Sequence, residues 1–315
     1  MVTYILRRLI QAAPVVLVVS VVVFLLLRLI PGDPAFVIAG ADATPEQLAA
    51  VRQELGLDQP LPNQYVIWLT RVLTGDLGKS YVTRRTVTEL IGRALPATVQ
   101  LALTGILLAL ALGIPLGVAA GLKPDSFWDV ILASVSALTL GIPNFLLGIL
   151  YLLLFSLALG WLPPGGRIDP LSDWVGGLET LALPAITLGL PTAAIFARFV
   201  RTELLRVVRQ DYIRTAHAKG LAVNVVAYRH ALRNALLPLS SVVGVQLGRL
   251  LGGTLVIEQV YTWPGMGRLA LQAIQTRDYP LFQGIVFLLV IGAVLVSLMA
   301  DLSYGLLDPR IRETR

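Results

Sequence analysis

Few residues in this chain are of a type and spacing that could do chemistry. Its two histidines, His217 and His230, lie thirteen residues apart, so the His-Glu-x-x-His spacing that turns two zinc ligands onto one helical face is missing. No serine stands in a Gly-x-Ser-x-Gly context, where a tight turn would present it as a nucleophile. Gly75-Asp76-Leu77-Gly78-Lys79-Ser80 imitates the end of a phosphate-binding loop, but that motif needs glycine where Leu73 stands. Gly265-Met266-Gly267-Arg268-Leu269-Ala270 imitates a dinucleotide fingerprint with no strand before it and no βαβ unit after it, and reads as a turn. Zero cysteines exclude disulfides, iron–sulfur clusters and thiolate zinc sites. The sequence assigns no catalytic residue, metal or bound cofactor, and points to a chain that conducts something without transforming it.

One charge stands out. Arg249 lies inside an otherwise uncharged run, Ala235 to Ile257, and an ionisable residue in such a place is a functional candidate by default. Arg249 and Asn144 are therefore the candidates for a conduction pathway, with Arg249 suited to a substrate carboxylate. The competing reading has Arg249 snorkelling to the interface or pairing with Glu258.

The elements that must position these residues follow from composition. Of 315 residues, 56% are hydrophobic and 14% are charged, against roughly 25% charged in soluble domains. Mean hydropathy is +0.77. So much apolar surface exceeds what one water-soluble core hides, and lipid must be the solvent for most of it. The fold class is an all-α polytopic membrane protein. Six apolar runs serve as spans: Leu9 to Leu27, Ala97 to Gly121, Ile131 to Leu159 with a bend near Pro143, Thr180 to Ala197, Ala235 to Ile257, and Tyr279 to Ala300. The first is too long for a signal-peptide core and is read as an uncleaved span. No Asp or Glu lies inside the second to fifth runs, and Asp301 follows the sixth, so an intramembrane carboxylate pair has no candidates.

Formal net charge is +6, and the basic residues are unevenly placed. With the N-terminus inside, inner segments hold Arg7, Arg8, Lys123, Arg310, Arg312, Arg315 and eight Lys or Arg from Arg198 to Arg233. The short outer loops hold Arg167, Arg268 and Arg277. This asymmetry predicts both termini inside and replaces nucleic-acid binding as the explanation of the charge. In the long outer loop, Thr44-Pro45-Glu46 reads as a helix start, with Leu48, Val51 and Leu55 on one face before Gly56. A second amphipathic stretch, Gln64 to Leu73, carries Trp68. Either a small folded cap or a docking surface for an external protein fits these patterns.

Two spans carry glycine at every fourth position, Gly113, Gly117 and Gly121 in the second and Gly244, Gly248 and Gly252 in the fifth. Such stripes let helix backbones approach closely in lipid, either within the chain or along a moving or subunit-facing seam. Between Arg198 and Arg233, Asp211 can N-cap a short helix, Tyr212 to Lys219, that Gly220 ends. A helix of this length is unstable alone and must dock on something. Its basic surroundings suit either anionic lipid or a cytoplasmic partner.

Asp211-Tyr212-Ile213-Arg214-Thr215-Ala216-His217-Ala218-Lys219-Gly220-Leu221, followed by His230-Ala231-Leu232-Arg233-Asn234-Ala235-Leu236-Leu237-Pro238, resembles the coupling-loop signature of ATP-binding-cassette importer permeases. Ile30-Pro31-Gly32-Asp33-Pro34, Gly75-Asp76-Leu77-Gly78, Glu258-Gln259-Val260, Trp263-Pro264-Gly265-Met266-Gly267 and Asp308-Pro309-Arg310-Ile311-Arg312 narrow the resemblance to the B-type permease of the dipeptide and oligopeptide branch. Two departures stand out: the family's glutamate-alanine-alanine triplet falls on Arg214-Thr215-Ala216, and His217 occupies a position where the branch more usually has arginine.

The resemblance implies a type I importer permease fold in the cytoplasmic (inner) membrane of a prokaryote. It implies a heterodimer with a second, homologous permease, two cytoplasmic ATPase subunits that bind ATP and magnesium, and an extracytoplasmic solute-binding protein. The solute would be a peptide or related small molecule, and residues 211–221 would contact an ATPase. Organisation would run as a first span in 1–30, an outer loop in 31–93, a five-helix core in 94–305 with its coupling loop at 198–234, and an inner tail in 306–315. An ion-coupled secondary transporter or channel is the alternative, and it would be expected to carry intramembrane carboxylates or internal repeats.

Overall fold

The computed structural model describes residues 2–29, 34–40, 43–54, 56–222 and 225–307. Ile30 to Asp33, Leu55 and the tail motif Asp308 to Arg312 lie outside them. Helices α1 (Val2–Leu29), α2 (Pro34–Ala39), α3 (Pro45–Glu54) and α4 (Leu61–Leu73) lead to α5 (Val87–Leu122). Helix α6 (Phe127–Gly141) is followed by α7 (Asn144–Tyr151), which continues as a wider π-type winding over Leu152–Ala158. Then come α8 (Trp174–Val208), α9 (Asp211–Ala218), α10 (Val226–Leu236, its first two turns π-type), α11 (Leu239–Gly253), α12 (Leu255–Val260), α13 (Met266–Gln275) and α14 (Tyr279–Leu307). Among the described residues the sole β-type pairing is one isolated bridge, Lys79 to Thr86.

Local chemistry sets the ends. Gln47 N donates to Thr44 Oγ1 at 3.3 Å while Thr44 N donates to Gln47 Oε1 at 2.9 Å, a reciprocal cap that starts α3 where Pro45 sits at the first helical position. Thr86 caps α5 by accepting from Glu89 N at 3.4 Å, so this helix begins inside the segment read as loop. It runs for 36 residues. At about 1.5 Å per residue it far exceeds a ~30 Å hydrocarbon core.

The third and fifth spans are broken. Pro143 cannot donate a backbone hydrogen bond and disfavours helical dihedrals in the residue before it; Ile142 accordingly adopts φ −106 and ψ 132. The flanking helices α6 and α7 meet at 103°, a break far larger than the single bend read from the sequence. At Pro238 the preceding Leu237 keeps φ −55 and ψ −49, and α10 and α11 are bent by only 48°. The fifth segment is thus also no continuous Ala235 to Ile257 helix. Among the described residues three helices, in α5, α8 and the Tyr279–Ala300 part of α14, are long and apolar enough to cross a membrane, and the two broken pairs raise the number to as many as five. In α1 the apolar stretch is Ile10–Leu25.

Helices α5 and α8 form the central pair. A Cβ on Gly113 would lie 2.6 Å from Ala193 O, and one on Gly117 would lie 2.5 Å from Ala197 O. At Gly121 it would lie 3.0 Å from Leu204 Cδ2. Absence of side chains on this face is what lets the two backbones touch. The second stripe behaves differently. Gly244 is pressed on Ala300 of α14, Gly248 has only ordinary van der Waals neighbours, and Gly252 faces open space.

Outward faces are apolar, with Leu107, Leu138, Leu153 and Leu157 exposed, as lipid or an apolar partner requires. The segment between α1 and α5 is fastened to the bundle at two points. Phe24 of α1, Tyr65 and Trp68 of α4, and Phe287 of α14 form an aromatic cluster with centroid spacings of 5.3 to 6.1 Å. Asp278, at the start of α14, accepts from the Ser80 hydroxyl and from Tyr81 N at 3.0 Å. The Gly75 to Ser80 look-alike is therefore a clasp, with Gly75 and Gly78 both at positive φ and Gly78 N bonded to Asp76 Oδ1.

Candidate functional site

The short helix α9 is held by one face. Ile213 and Ala216 are buried with Leu204 and Val207 of α8 and Val226, Ala231 and Ala235 of α10. On the other faces Asp211, Tyr212, Arg214, Thr215, His217, Ala218, Lys219, Gly220 and Leu221 are all exposed. Gln210, not Asp211, is the N-cap; the helix starts one residue early, and Asp211 occupies its first turn without a side-chain cap bond. There Asp211 lies 3.6 Å from Arg214, in solvent, where such a pair contributes little. Tyr212 OH accepts from Asn234 Nδ2 at 2.8 Å and ties the helix to α10.

The C-terminus is built for a sharp exit. Gly220 has φ +76, its N–H donates to His217 O at 2.9 Å, and Leu221 N donates to Ala216 O at 3.4 Å. These two bonds form a Schellman motif, which needs a residue without a Cβ penalty at the left-handed position. Nearby, Arg201 forms a two-pronged ion pair with Asp129, at 2.6 and 2.7 Å, that pins the start of α6 to α8. The result is a rigid knob with a polar, partly basic outer surface.

Arg249 and Asn144 come together at the break between α6 and α7. Both line a cavity of about 430 Å³, with Thr139, Pro143, Thr192 and Gln246 among its walls. A second cavity of about 820 Å³, bounded by Asp125, Asp129, Arg198 and Arg201, shares Leu140 and Gly141 with the first. The two cavities, with mixed polar and apolar walls, thus adjoin at the end of α6.

Pairing of Arg249 with Glu258 does not occur. Glu258 is fully buried and accepts from Thr98 Oγ1 at 2.7 Å, Thr254 Oγ1 at 3.0 Å and Arg268 N at 3.0 Å. Arg268 is the third residue of α13, so the carboxylate caps that helix from a distance and meets the positive end of its dipole. Thr98 Oγ1 also accepts from Met266 N at 2.8 Å, and Trp263 Nε1 donates to Ala97 O at 2.9 Å. Side chains on Gly265 or Gly267 would run into Glu258 or Leu255. Sequence spacing alone does not reveal this knot; its signal is the run Trp263 to Gly267 following Glu258. Tyr261 completes it by donating to Gly148 O of α7 at 2.9 Å and meeting Thr187 of α8 at 2.9 Å. The α12–α13 wedge therefore joins α5, α7 and α8.

Long apolar helices, lipid-suited outer faces and broken spans around cavities define a multi-pass membrane protein of the permease class. The chain belongs to the family of binding-protein-dependent transport system inner membrane components, whose model matches residues 113–313; the model of that family's N-terminal part matches residues 1–102. It is 42% identical over 312 residues to a putative peptide transport system permease protein of Brucella abortus, with 99% of each chain covered. It is 40% identical, over the same span and coverage, to the glutathione transport system permease protein GsiC of Salmonella choleraesuis. Among solved structures it shares the fold of a chain of the MetNI methionine ABC transporter in inward-facing conformations. That match has a TM-score of 0.58 and 18% identity, and covers 70% of this chain and 96% of the other.

Proposed function

We propose that this chain is one of two permease subunits of an ATP-binding-cassette importer that carries peptides or related small solutes across the cytoplasmic membrane of a prokaryote. It crosses the membrane six times, α1 included, with both termini inside. Separate ATPase subunits hydrolyse ATP, an extracytoplasmic binding protein delivers the solute, and the pathway runs between this chain and a homologous partner. The observation that carries this reading is α9: a helix anchored by Ile213 and Ala216 whose remaining faces, from Arg214 to Leu221, are uncovered. A surface so rigidly mounted suits a groove on an ATPase, and closure of an ATPase pair would then rock α5 and α8 as a unit and open the pathway to alternate sides. The names of the peptide and glutathione permease relatives support the solute class.

The test is substrate-stimulated ATP hydrolysis by the complete complex in liposomes. Gly220→Pro, which destroys the Schellman exit, abolishes stimulation while solute capture by the binding protein is unchanged. Because that change also perturbs local folding, the exposed pair Arg214→Glu and His217→Glu is measured beside it and lowers stimulation by roughly tenfold without loss of assembled protein. Normal stimulation in both variants overturns the assignment.

A further inference from the structure

We propose that the cavity at the α6–α7 break is a carboxylate-binding station on the solute's path, with Arg249 and Gln246 as its ligands. The proposal rests on the permease reading and adds to it the chemical group that the membrane part itself recognises.

Three sets of donors converge there and lack protein acceptors. Arg249 lines the cavity, and among the described residues it forms no ion pair. Gln246 lines it too, is only 8% exposed, and has no side-chain hydrogen bond among the described residues. Its amide, unpaired within the protein, is free to meet a ligand oxygen in the cavity. The third set is the start of α7. Pro143 is its N-cap and offers no side-chain acceptor, and the first backbone bonds are those of Leu146 N and Leu147 N to Pro143 O. The N–H group of Asn144, which lines the cavity, is left over at the positive end of the helix.

The carbonyl end of α6, at Thr139 to Gly141, also borders the cavity, but no full negative charge does. No Asp or Glu lines this cavity. Asp129 is held by Arg201, and Glu258 is enclosed by Thr98, Thr254 and Arg268 N, so neither neutralises Arg249. The guanidinium is the one full charge among the lining residues, and with an amide and a helical N–H group around the same space it matches a carboxylate. The volume, about 430 Å³, lies within the roughly 300–1,000 Å³ of small-molecule sites.

The chain has no cysteine, so one thiol introduced at Ile195, on the cavity wall, reports local charge without background from this subunit. In the complete transporter in liposomes, Ile195→Cys is treated with a sulfonate-bearing and with a quaternary-ammonium methanethiosulfonate, and modification of this chain is followed by mass. The anionic reagent reacts about tenfold faster than the cationic one. Adding Arg249→Ala brings the ratio near unity, and Arg249→Lys restores most of it. Gln246→Leu lowers the ratio less. Equal rates with Arg249 present, or a ratio unmoved by Arg249→Ala, overturn the proposal. ATP-dependent uptake by the same liposomes before modification tests the permease reading separately. Uptake with a flat ratio removes the carboxylate station alone, and absence of uptake from the unsubstituted complex removes the reading on which it rests.

Discussion

The seam between α5 and α8 and the break between α6 and α7 both contain proline, with opposite outcomes. Helix α5 includes Pro96 and Pro115, α8 includes Pro184 and Pro191, and both run unbroken for 35 or 36 residues. At Pro143 the chain turns by 103°. Proline costs an interior helix hydrogen bond in each case, so what differs is the surroundings. Along the seam, Gly113 and Gly117 bring one backbone against the other, and burial on that face holds both helices in register. Around Pro143, Gly141 and Asn144 face a cavity, and Ile142 is free to take the extended conformation that a residue before proline prefers. Pro238, after a residue that keeps helical dihedrals, gives the intermediate angle of 48°. The molecule thus separates a closely packed pair of helices from broken helices that line cavities.

The strongest way to break this contrast is to fill the seam. Gly117→Leu overpacks backbone against backbone and destabilises the purified subunit by about 3 kcal/mol or more, whereas Gly252→Leu, which points into open space, changes it by less than about 0.5 kcal/mol. Thermal unfolding in detergent and yield in membranes measure both, and equal effects would show that the seam is not special. Next comes the wedge that ties the two regions together. Glu258→Ala leaves Arg268 N and the hydroxyls of Thr98 and Thr254 without their acceptor, an expected loss of about 2–3 kcal/mol; Glu258→Gln keeps one acceptor oxygen and costs less. The smallest effect is expected at the break itself. Pro143→Ala shifts stability by under about 1 kcal/mol, because alanine can hold the φ −57 and ψ 138 found there and leave α6 and α7 packed as they are, and hydrogen exchange around residues 142–146 measures whether the break persists.

What was legible in the sequence was mostly local. The start of α3 at Thr44-Pro45, the amphipathic stretch around Trp68, the break at Pro143 and the exit at Gly220 each depend on a few neighbouring residues, and each stands close to where the spacing put it. Helix lengths were less legible, because charge-free runs mark where lipid can be, while α5 continues past them to its cap at Thr86. Least legible were contacts between residues distant in the chain. Glu258 and Thr98 are 160 positions apart, and the carboxylate's role as a remote cap for α13 appears only when α5 brings Thr98 beside it. Asn144 and Arg249 could be named individually as pathway candidates, but no pattern in the sequence says that they share one cavity with an unpaired Gln246. The two glycine stripes look alike as letters and differ in what faces them, a property of the neighbouring helix and not of the stripe.

The most direct test of the central claim, that α9 receives the force of ATP hydrolysis on the inner side, again uses the absence of cysteine. Thr215→Cys on the exposed face of α9 and Thr70→Cys on α4, between α1 and α5, are each labelled with a short photoreactive maleimide in the assembled transporter. The account predicts an adduct between this chain and an ATPase subunit from position 215, with a yield that changes between nucleotide-free and ATP-bound complexes, and none from position 70. An ATPase adduct from position 70, or its absence from position 215 in an assembled and active complex, would contradict it.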